Sequence, residues 1–273
     1  MVVAPRRLIG IASLLALGLA AQPPHAGAGP RRGEKLDDAR KVDPDDAQAQ
    51  EAAKYYQFGN QFLNQALLSQ AEESLRRALS LQPVYPEASY LLAAVLYGEN
   101  DFRGAIAEAD KAVQQNPFLT EAHGLMGNAY AKMGDSERAI KEFEIVKADV
   151  SFPTPEVADF NIGRIFWEKQ ACGEAVIHFR KALDVNPGWG RAWYMLGDCQ
   201  EQLGQMDLAR SSYEKSLHLQ PNDVPSMYRL GYTCFQAHDW ACARQQFQKV
   251  RELSPGSDMG LGAREYLKQM DFR

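Results

Sequence analysis

Six times along this chain one layout recurs: a small residue seven places into a helix-like run, an alanine in a second run, and a proline that closes the stretch. With the closing proline set at position 32, the units open at Ala52, Pro86, Thr120, Glu156, Gly190 and Val224, a spacing of 34 residues with one interval of 36. Position 8 reads Gly59, Ala93, Gly127, Gly163, Gly197 and Gly231; position 20 reads Ala71, Ala105, Ala139, Ala175, Ala209 and Ala243. Two antiparallel helices approach closely only where neither side is bulky, so these places mark a crossing inside each unit. Larger residues at positions 7, 11 and 24, such as Phe58, Phe62, Leu75, Leu196, Tyr213, Leu230 and Phe247, are expected to fill the grooves between hairpins.

Punctuation agrees with a helix-turn-helix unit. Asn100-Asp101, Gly134-Asp135, Gly204 and His238-Asp239 fall between the two runs, where turn formers and caps start a second helix. Pro83, Pro117, Pro187, Pro221 and Pro255 lack the amide that a continuing helix needs. The third unit reaches its proline, Pro153, two residues late, which predicts an extended corner over residues 149–155. A 34-residue helical hairpin with this skeleton resembles the tetratricopeptide repeat. That resemblance implies an all-α, right-handed superhelical solenoid of units 52–85, 86–119, 120–155, 156–189, 190–223 and 224–255. Residues 256–273 read as a capping amphipathic helix with Met259, Leu261, Tyr266, Leu267 and Met270 as apolar members.

Ahead of the repeats, Arg6-Arg7 precede an apolar run from Leu8 to Ala21, then Pro23-Pro24 and the small triplet Ala26-Gly27-Ala28. A charged start, a short apolar core and an Ala-x-Ala site predict a secretory signal over residues 1–28, with an uncleaved anchor as the alternative. No Ser or Phe flanks the arginines as twin-arginine export would want. Residues 29–51 read as a charged tether that turns helical near Asp43-Pro44, where a cap meets a first-position proline. The net charge is −5 and removal of the first 28 residues leaves −7, without a basic stripe, so nucleic acid is a poor partner. Contact with a membrane is expected only through an uncleaved signal segment.

Export decides how the four cysteines read, because an oxidising compartment favours pairing. Cys234 and Cys242 flank the turn of the sixth hairpin, and a bridge there is expected. Cys172 opens the second helix of unit four and Cys199 lies late in the first helix of unit five, a second candidate pair. Cys234, His238 and Cys242 at spacings of four also suggest a metal, but His238 sits where the turn must be and no fourth ligand accompanies it. No metal and no cofactor are therefore expected. Without a Cys-x-x-Cys, thiol-disulfide catalysis has no footing either.

Other catalysis finds no motif: no phosphate loop, nucleophile elbow or His-Glu-x-x-His, and His123, His178 and His218 fall at unrelated repeat positions. A binding surface remains. Positions 2, 5, 9 and 12 lie on the first helix of each unit and line the inner curve of such a solenoid. They carry Tyr56, Asn60, Tyr90, Tyr97, Asn128, Phe160, Arg164, Trp167, Tyr194, Tyr228, Tyr232 and Phe235. Aromatics with polar tips, interleaved with amides, suit an extended peptide or a partner helix, and position 5 is expected to have no interior neighbour to pack on. A clamp for chaperone tails would need lysines and arginines where tyrosines stand.

Phe152-Pro-Thr-Pro-Glu-Val-Ala-Asp-Phe-Asn-Ile-Gly163, with Glu174-Ala and the run Phe179 to Pro187, is similar to the middle of the type IV pilus biogenesis and stability proteins, the secretin pilotins. That resemblance implies an exported, non-enzymatic scaffold whose partners are the secretin or pilus assembly proteins. Members of that family usually carry a lipid-bearing cysteine after the apolar core; here Ala21-Gln22 stands instead, so lipoprotein sorting does not carry over. Scaffolding of polysaccharide export or cell-wall synthesis is the alternative, and a redox or metal protein built on Cys234, His238 and Cys242 a lesser one.

Overall fold

The computed structural model describes residues 44–271; the expected signal segment and the tether up to residue 43 lie outside them. Among the described residues there are thirteen helices and no strand. They are α1 (Pro44–Asn64), α2 (Leu68–Leu81), α3 (Pro86–Gly98), α4 (Phe102–Gln115), α5 (Thr120–Lys132) and α6 (Ser136–Ala148) in one compact unit that ends at Thr154. A second unit, from Pro155, holds α7 (Glu156–Glu168), α8 (Cys172–Val185), α9 (Gly190–Gln202), α10 (Met206–Leu219), α11 (Val224–Gln236), α12 (Trp240–Leu253) and α13 (Asp258–Asp271). Within each unit the helices pair as hairpins in chain order, and the first helices of successive hairpins touch.

Each turn inside a hairpin is built the same way. Position 15 adopts the left-handed backbone in all six units: Ala66, Asn100, Gln170 and His238 with φ between 58° and 67°, and Gly134 and Gly204 with φ of 81° and 73°. The next residue's N–H then reaches back five residues, as from Asp101 to the Leu96 carbonyl and from Asp239 to the Cys234 carbonyl, both 2.9 Å. Such a closure satisfies carbonyls that the first helix leaves unpaired. Where position 16 is aspartate it also caps the second helix, its carboxylate accepting from the N–H three residues on: Gly104 to Asp101, Arg138 to Asp135 and Cys242 to Asp239.

The crossing predicted at position 8 is a glycine under a large ring. A Cβ on Gly231 would lie 2.9 Å from the Phe247 ring, and one on Gly127 would meet Phe143 equally closely. Position 24 thus packs inside its own hairpin rather than between hairpins. Phe143, Phe179, Tyr213 and Phe247 are all at most 1% exposed, and burying each such ring stabilises its hairpin by ~2–3 kcal/mol. Unit two carries Ala93 and Ala109 at these two places, both fully buried, a smaller pair for the same gap. Phe58, expected in a groove, is 39% exposed.

His123 and His178 are not at unrelated places after all. Positions 4 and 23 face each other across a hairpin: His123 Nδ1 lies 2.7 Å from Glu142 in unit three, and His178 Nδ1 lies 2.8 Å from Asp159 in unit four. The imidazole and the carboxylate have exchanged helices, which hides the correspondence in a linear reading.

The late proline of unit three yields the extended corner expected of it. Asp149 accepts from the Ser151 N–H and hydroxyl and from Thr120, while Phe152 is buried and Val150 fully exposed. At the other end α13 begins 34 residues after Val224, so it takes the place of the first helix of a seventh unit. It buries Gly260, Ala263, Leu267 and Met270 against α11 and α12. Leu261, expected on that face, is instead 50% exposed. Helix α1 begins at Pro44, and Gln48 on its added turns donates to the Leu81 carbonyl at the end of α2. No described helix is long and apolar enough to cross a membrane.

Candidate partner-binding face

In the second unit, residues spaced three and four apart put Phe160, Arg164 and Trp167 on one face of α7, Tyr194, Asp198 and Glu201 on one face of α9, and Tyr228, Tyr232 and Phe235 on one face of α11. Two of these nine, Asp198 and Glu201, and the neighbouring Arg229 that binds both, carry no expectation from the sequence, although Asp198 and Glu201 fill positions 9 and 12.

Those charged groups knit the face together. Trp167 Nε1 donates to Asp198 Oδ2 at 2.6 Å, and Gln202 Nε2 donates to the same oxygen at 2.8 Å. Arg229 spans both acids, Nη2 to Asp198 Oδ1 at 3.1 Å and Nη1 to Glu201 Oε1 at 2.9 Å. The other Glu201 oxygen accepts from the Tyr213 hydroxyl at 2.9 Å. Asp198 is 3% exposed, and burying a carboxylate is tolerable only with partners on both oxygens. Burial raises the Glu201 carboxyl above its ordinary value, with the Asp198 charge adding to it, against the opposing pull of Arg229 and the Tyr213 hydroxyl. Burial likewise pushes up the Tyr213 and Tyr194 hydroxyls.

Beneath the polar groups lies a floor of rings. Phe160, at position 5, is buried, stacked at 4.2 Å on Trp189 and 5.8 Å from Phe179. Tyr194 lies 6.1 Å from Tyr213, and Tyr228 lies 5.8 Å from Phe247. Position 5 therefore does have an interior neighbour, the position-24 ring of its own hairpin, contrary to the expectation from the repeat alone. Tyr266 of α13 closes the far end, stacked flat on Phe247 at 4.8 Å and meeting Phe235 at 5.0 Å and Tyr232 at 6.1 Å edge-on. Trp167, Tyr194, Tyr228, Tyr232 and Phe235 all stay half-buried, anchored below and reachable above. Arg164 Nε is buried and meets no acceptor among the described residues.

The remaining predicted residues belong to the first unit. Tyr90 is 4% exposed, and Tyr56 leans on Tyr85 at 5.1 Å. The Tyr85 hydroxyl is pushed up to about 12 by burial, with Tyr56 and Glu87 adding to it. Tyr97 meets Phe102 at 5.4 Å, and Asn60 and Asn128 are half-buried. No comparable charged network ties them together among the described residues, and Gly124 leaves position 5 of unit three without a ring.

The expected bridge between Cys234 and Cys242 is present, with Cα atoms 5.9 Å apart. Asp239 lies beside it, but the sulfurs are already joined, leaving a metal no pair of thiolates. Cys172 and Cys199, the second candidate pair, are buried thiols.

Comparison with known proteins gives a consistent outcome. Profiles of the tetratricopeptide repeat match residues 56–119, 125–188 and 190–223. The TPR repeat-containing protein YpiA of Bacillus subtilis (strain 168) is 24% identical over 225 residues, 81% of this chain and 50% of its own length. A CTR9 homolog of Arabidopsis thaliana is 27% identical over 132 residues, 46% of this chain and 12% of its own length. The chain thus spans half or less of these curated relatives. Among solved structures, pilF of Pseudomonas aeruginosa superposes with a TM-score of 0.71 at 20% identity, over 80% of this chain and 99% of that one. PilW, a widely conserved type IV pilus biogenesis factor, gives 0.69 at 17%, over 77% and 97%. YrrB, a TPR protein with an unusual peptide-binding site, gives 0.57 at 19%, over 71% and 100%. At these identities the likeness is one of fold.

Proposed function

The chain belongs to the tetratricopeptide repeat family, and from that premise we propose that it is an exported, non-enzymatic scaffold that holds a protein partner on the α7, α9 and α11 face while an envelope machine, the type IV pilus and its secretin first among them, assembles. The observation that carries the binding role is the Trp167–Asp198–Arg229–Glu201 network among half-exposed rings. Its members are held in place before any partner arrives, so little side-chain freedom is left to lose on binding, and aromatic rings offer large contact area at low entropic cost. An extended segment or a short helix laid across the rings would find hydroxyl tips and indole edges for its polar groups.

Three observations support the envelope setting. Arg6-Arg7, the apolar run to Ala21 and the Ala26-Gly27-Ala28 triplet fit the pattern of an export signal. A disulfide joins Cys234 to Cys242, as expected of an oxidising compartment. PilW and pilF each match over nearly their whole length. Ala21-Gln22 stands where a lipid-bearing cysteine would follow the apolar run, so the reading proposed here is of a soluble or signal-anchored species.

Mild crosslinking in the native cells, affinity purification of the tagged full chain, and mass spectrometry of both the partners and the mature N-terminus test this reading. Secretin or pilus-alignment proteins recovered with a chain that starts near Gly29 are the expected result. Polysaccharide-export or cell-wall enzymes in their place, or a chain that keeps its first residues in the cytosol, would overturn the assignment.

A further inference from the structure

Cys172 is the first residue of α8 and Cys199 lies in the last turn of α9, so the two sit on neighbouring hairpins rather than within one. Both belong to the same apolar cluster, with Phe179, Leu183 and Leu196. Cys199 is fully buried and Cys172 is 4% exposed. Cys172 Sγ donates to Gln202 Oε1 at 3.3 Å, and Gln202 follows Cys199 by one turn of α9, which brings the two thiols into one neighbourhood. A pair of thiols packed together in this way lacks a third ligand for a metal: among the described residues the one three-ligand group surrounds the closed Cys234–Cys242 bridge. The pair does share one buried cluster at the joint between packed helices, the placement from which a disulfide can close.

We propose that Cys172 and Cys199 are an oxidation site, closing into a second disulfide that staples the fourth hairpin to the fifth. The Cys234–Cys242 bridge spans nine residues inside one hairpin, whereas this one would tie two hairpins through the joint that Trp167, Asp198 and Gln202 also cross. The oxidant is a disulfide of the thiol-exchange class, such as that of a protein oxidoreductase or oxidised glutathione. Cys172, next to the exposed turn residues Lys169 and Gln170, is the sulfur such a donor reaches first. Its thiolate attacks the donor disulfide, forming a mixed disulfide and releasing one donor thiol. Cys199 then attacks the Cys172 sulfur, expelling the second donor thiol, which takes up the proton that Cys199 gives away. Two thiols are oxidised, one donor disulfide is reduced, and the apolar cluster loses two S–H groups without gaining a charge. Burial pushes the Cys199 thiol up, so the protein resists adventitious alkylation there and closes chiefly through the exchange partner. The inference holds whether or not the inner face binds a partner.

The test is chemical. Full-length chain refolded in a mixture of reduced and oxidised glutathione is quenched with acid, unfolded, treated with N-ethylmaleimide and mapped by peptide mass. The expected result is loss of all maleimide uptake, with one linked peptide pair carrying Cys172 and Cys199 and another carrying Cys234 and Cys242. In the Cys199→Ser chain, Cys172 should instead carry one maleimide or one glutathione. Maleimide or glutathione on both Cys172 and Cys199 of the unaltered chain, with Cys234–Cys242 closed, would overturn the proposal. So would a link from Cys172 to Cys234 or Cys242.

Discussion

Gln170 and Ala66 hold the same left-handed backbone as Gly134 and Gly204, yet each carries a side chain that this conformation disfavours. A non-glycine residue there costs about 1–2 kcal/mol, less where asparagine or histidine stands. Gln170→Gly is therefore expected to stabilise the protein by about 1 kcal/mol, and Gly204→Gln to destabilise it by a similar amount, read as opposite shifts of the urea midpoint. Equal midpoints for all three chains would contradict the shared turn geometry. These two strained residues were illegible in the sequence because neither residue type announces a left-handed turn, whereas Asn100-Asp101, Gly134-Asp135 and His238-Asp239 do. Asp239 carries a second residue-scale expectation. The Cys242 N–H, and then Arg210, hold its carboxyl below the usual range. A group held low binds fewer protons folded than unfolded, so its contribution is present above the unfolded value of about 4 and fades as pH falls through the folded one. Asp239→Asn should accordingly flatten the acid limb of Tm against pH, while parallel curves for the two chains would count against the cap.

Within a hairpin, the glycine at position 8 and the ring at position 24 act as one packed element. Gly231→Ala places a methyl 2.9 Å from the Phe247 ring, and such overpacking costs about 1–3 kcal/mol, more than the helix propensity that alanine returns. Phe247→Leu should recover part of that loss in the double variant even though it destabilises the parent chain, a non-additivity that calorimetry resolves. Strict additivity would place the ring elsewhere. The crossing was readable from small residues alone, but the destination of position 24 was not: a one-dimensional register does not say whether a large side chain points into its own hairpin or the next. The pairing of positions 4 and 23 stayed hidden for a related reason, since His123–Glu142 and Asp159–His178 exchange partners between helices. Helix α13 is the cap expected, and of its five apolar members only Leu261 faces outward. Hydrophobicity alone picks out Leu261 as well as Leu267 and Met270, whereas the packed helix turns small Ala263 inward and leaves Leu261 half-exposed. Ending the chain at Leu253 removes Tyr266 from the face of Phe247, and faster amide exchange throughout α11 and α12 is the expected consequence. Unchanged exchange would mean the flank needs no cover.

For the whole molecule, the repeat period was legible because it is written in backbone constraints: glycine at crossings, proline at closures, aspartate at caps. The candidate face was only half legible. Its aromatics were visible at the repeat positions, but the Asp198–Arg229–Glu201 bridge was not, because charges scattered over two units reveal their pairing only when α9 and α11 are packed side by side. Tyr90 and Phe160 match the same aromatic pattern, yet both are buried in the core. We place the proposed partner on the α7, α9 and α11 face of the second unit. The most direct test of that placement is a photo-crosslinking amino acid placed singly at Trp167, Tyr194 and Tyr232 and, as a comparison, at Ile177, which is 54% exposed on α8, each in the full chain within native cells. One covalent product of the same mass from all three face positions, and none from Ile177, is the expected result. Equal labelling from Ile177, or three unrelated products from the face, would contradict it.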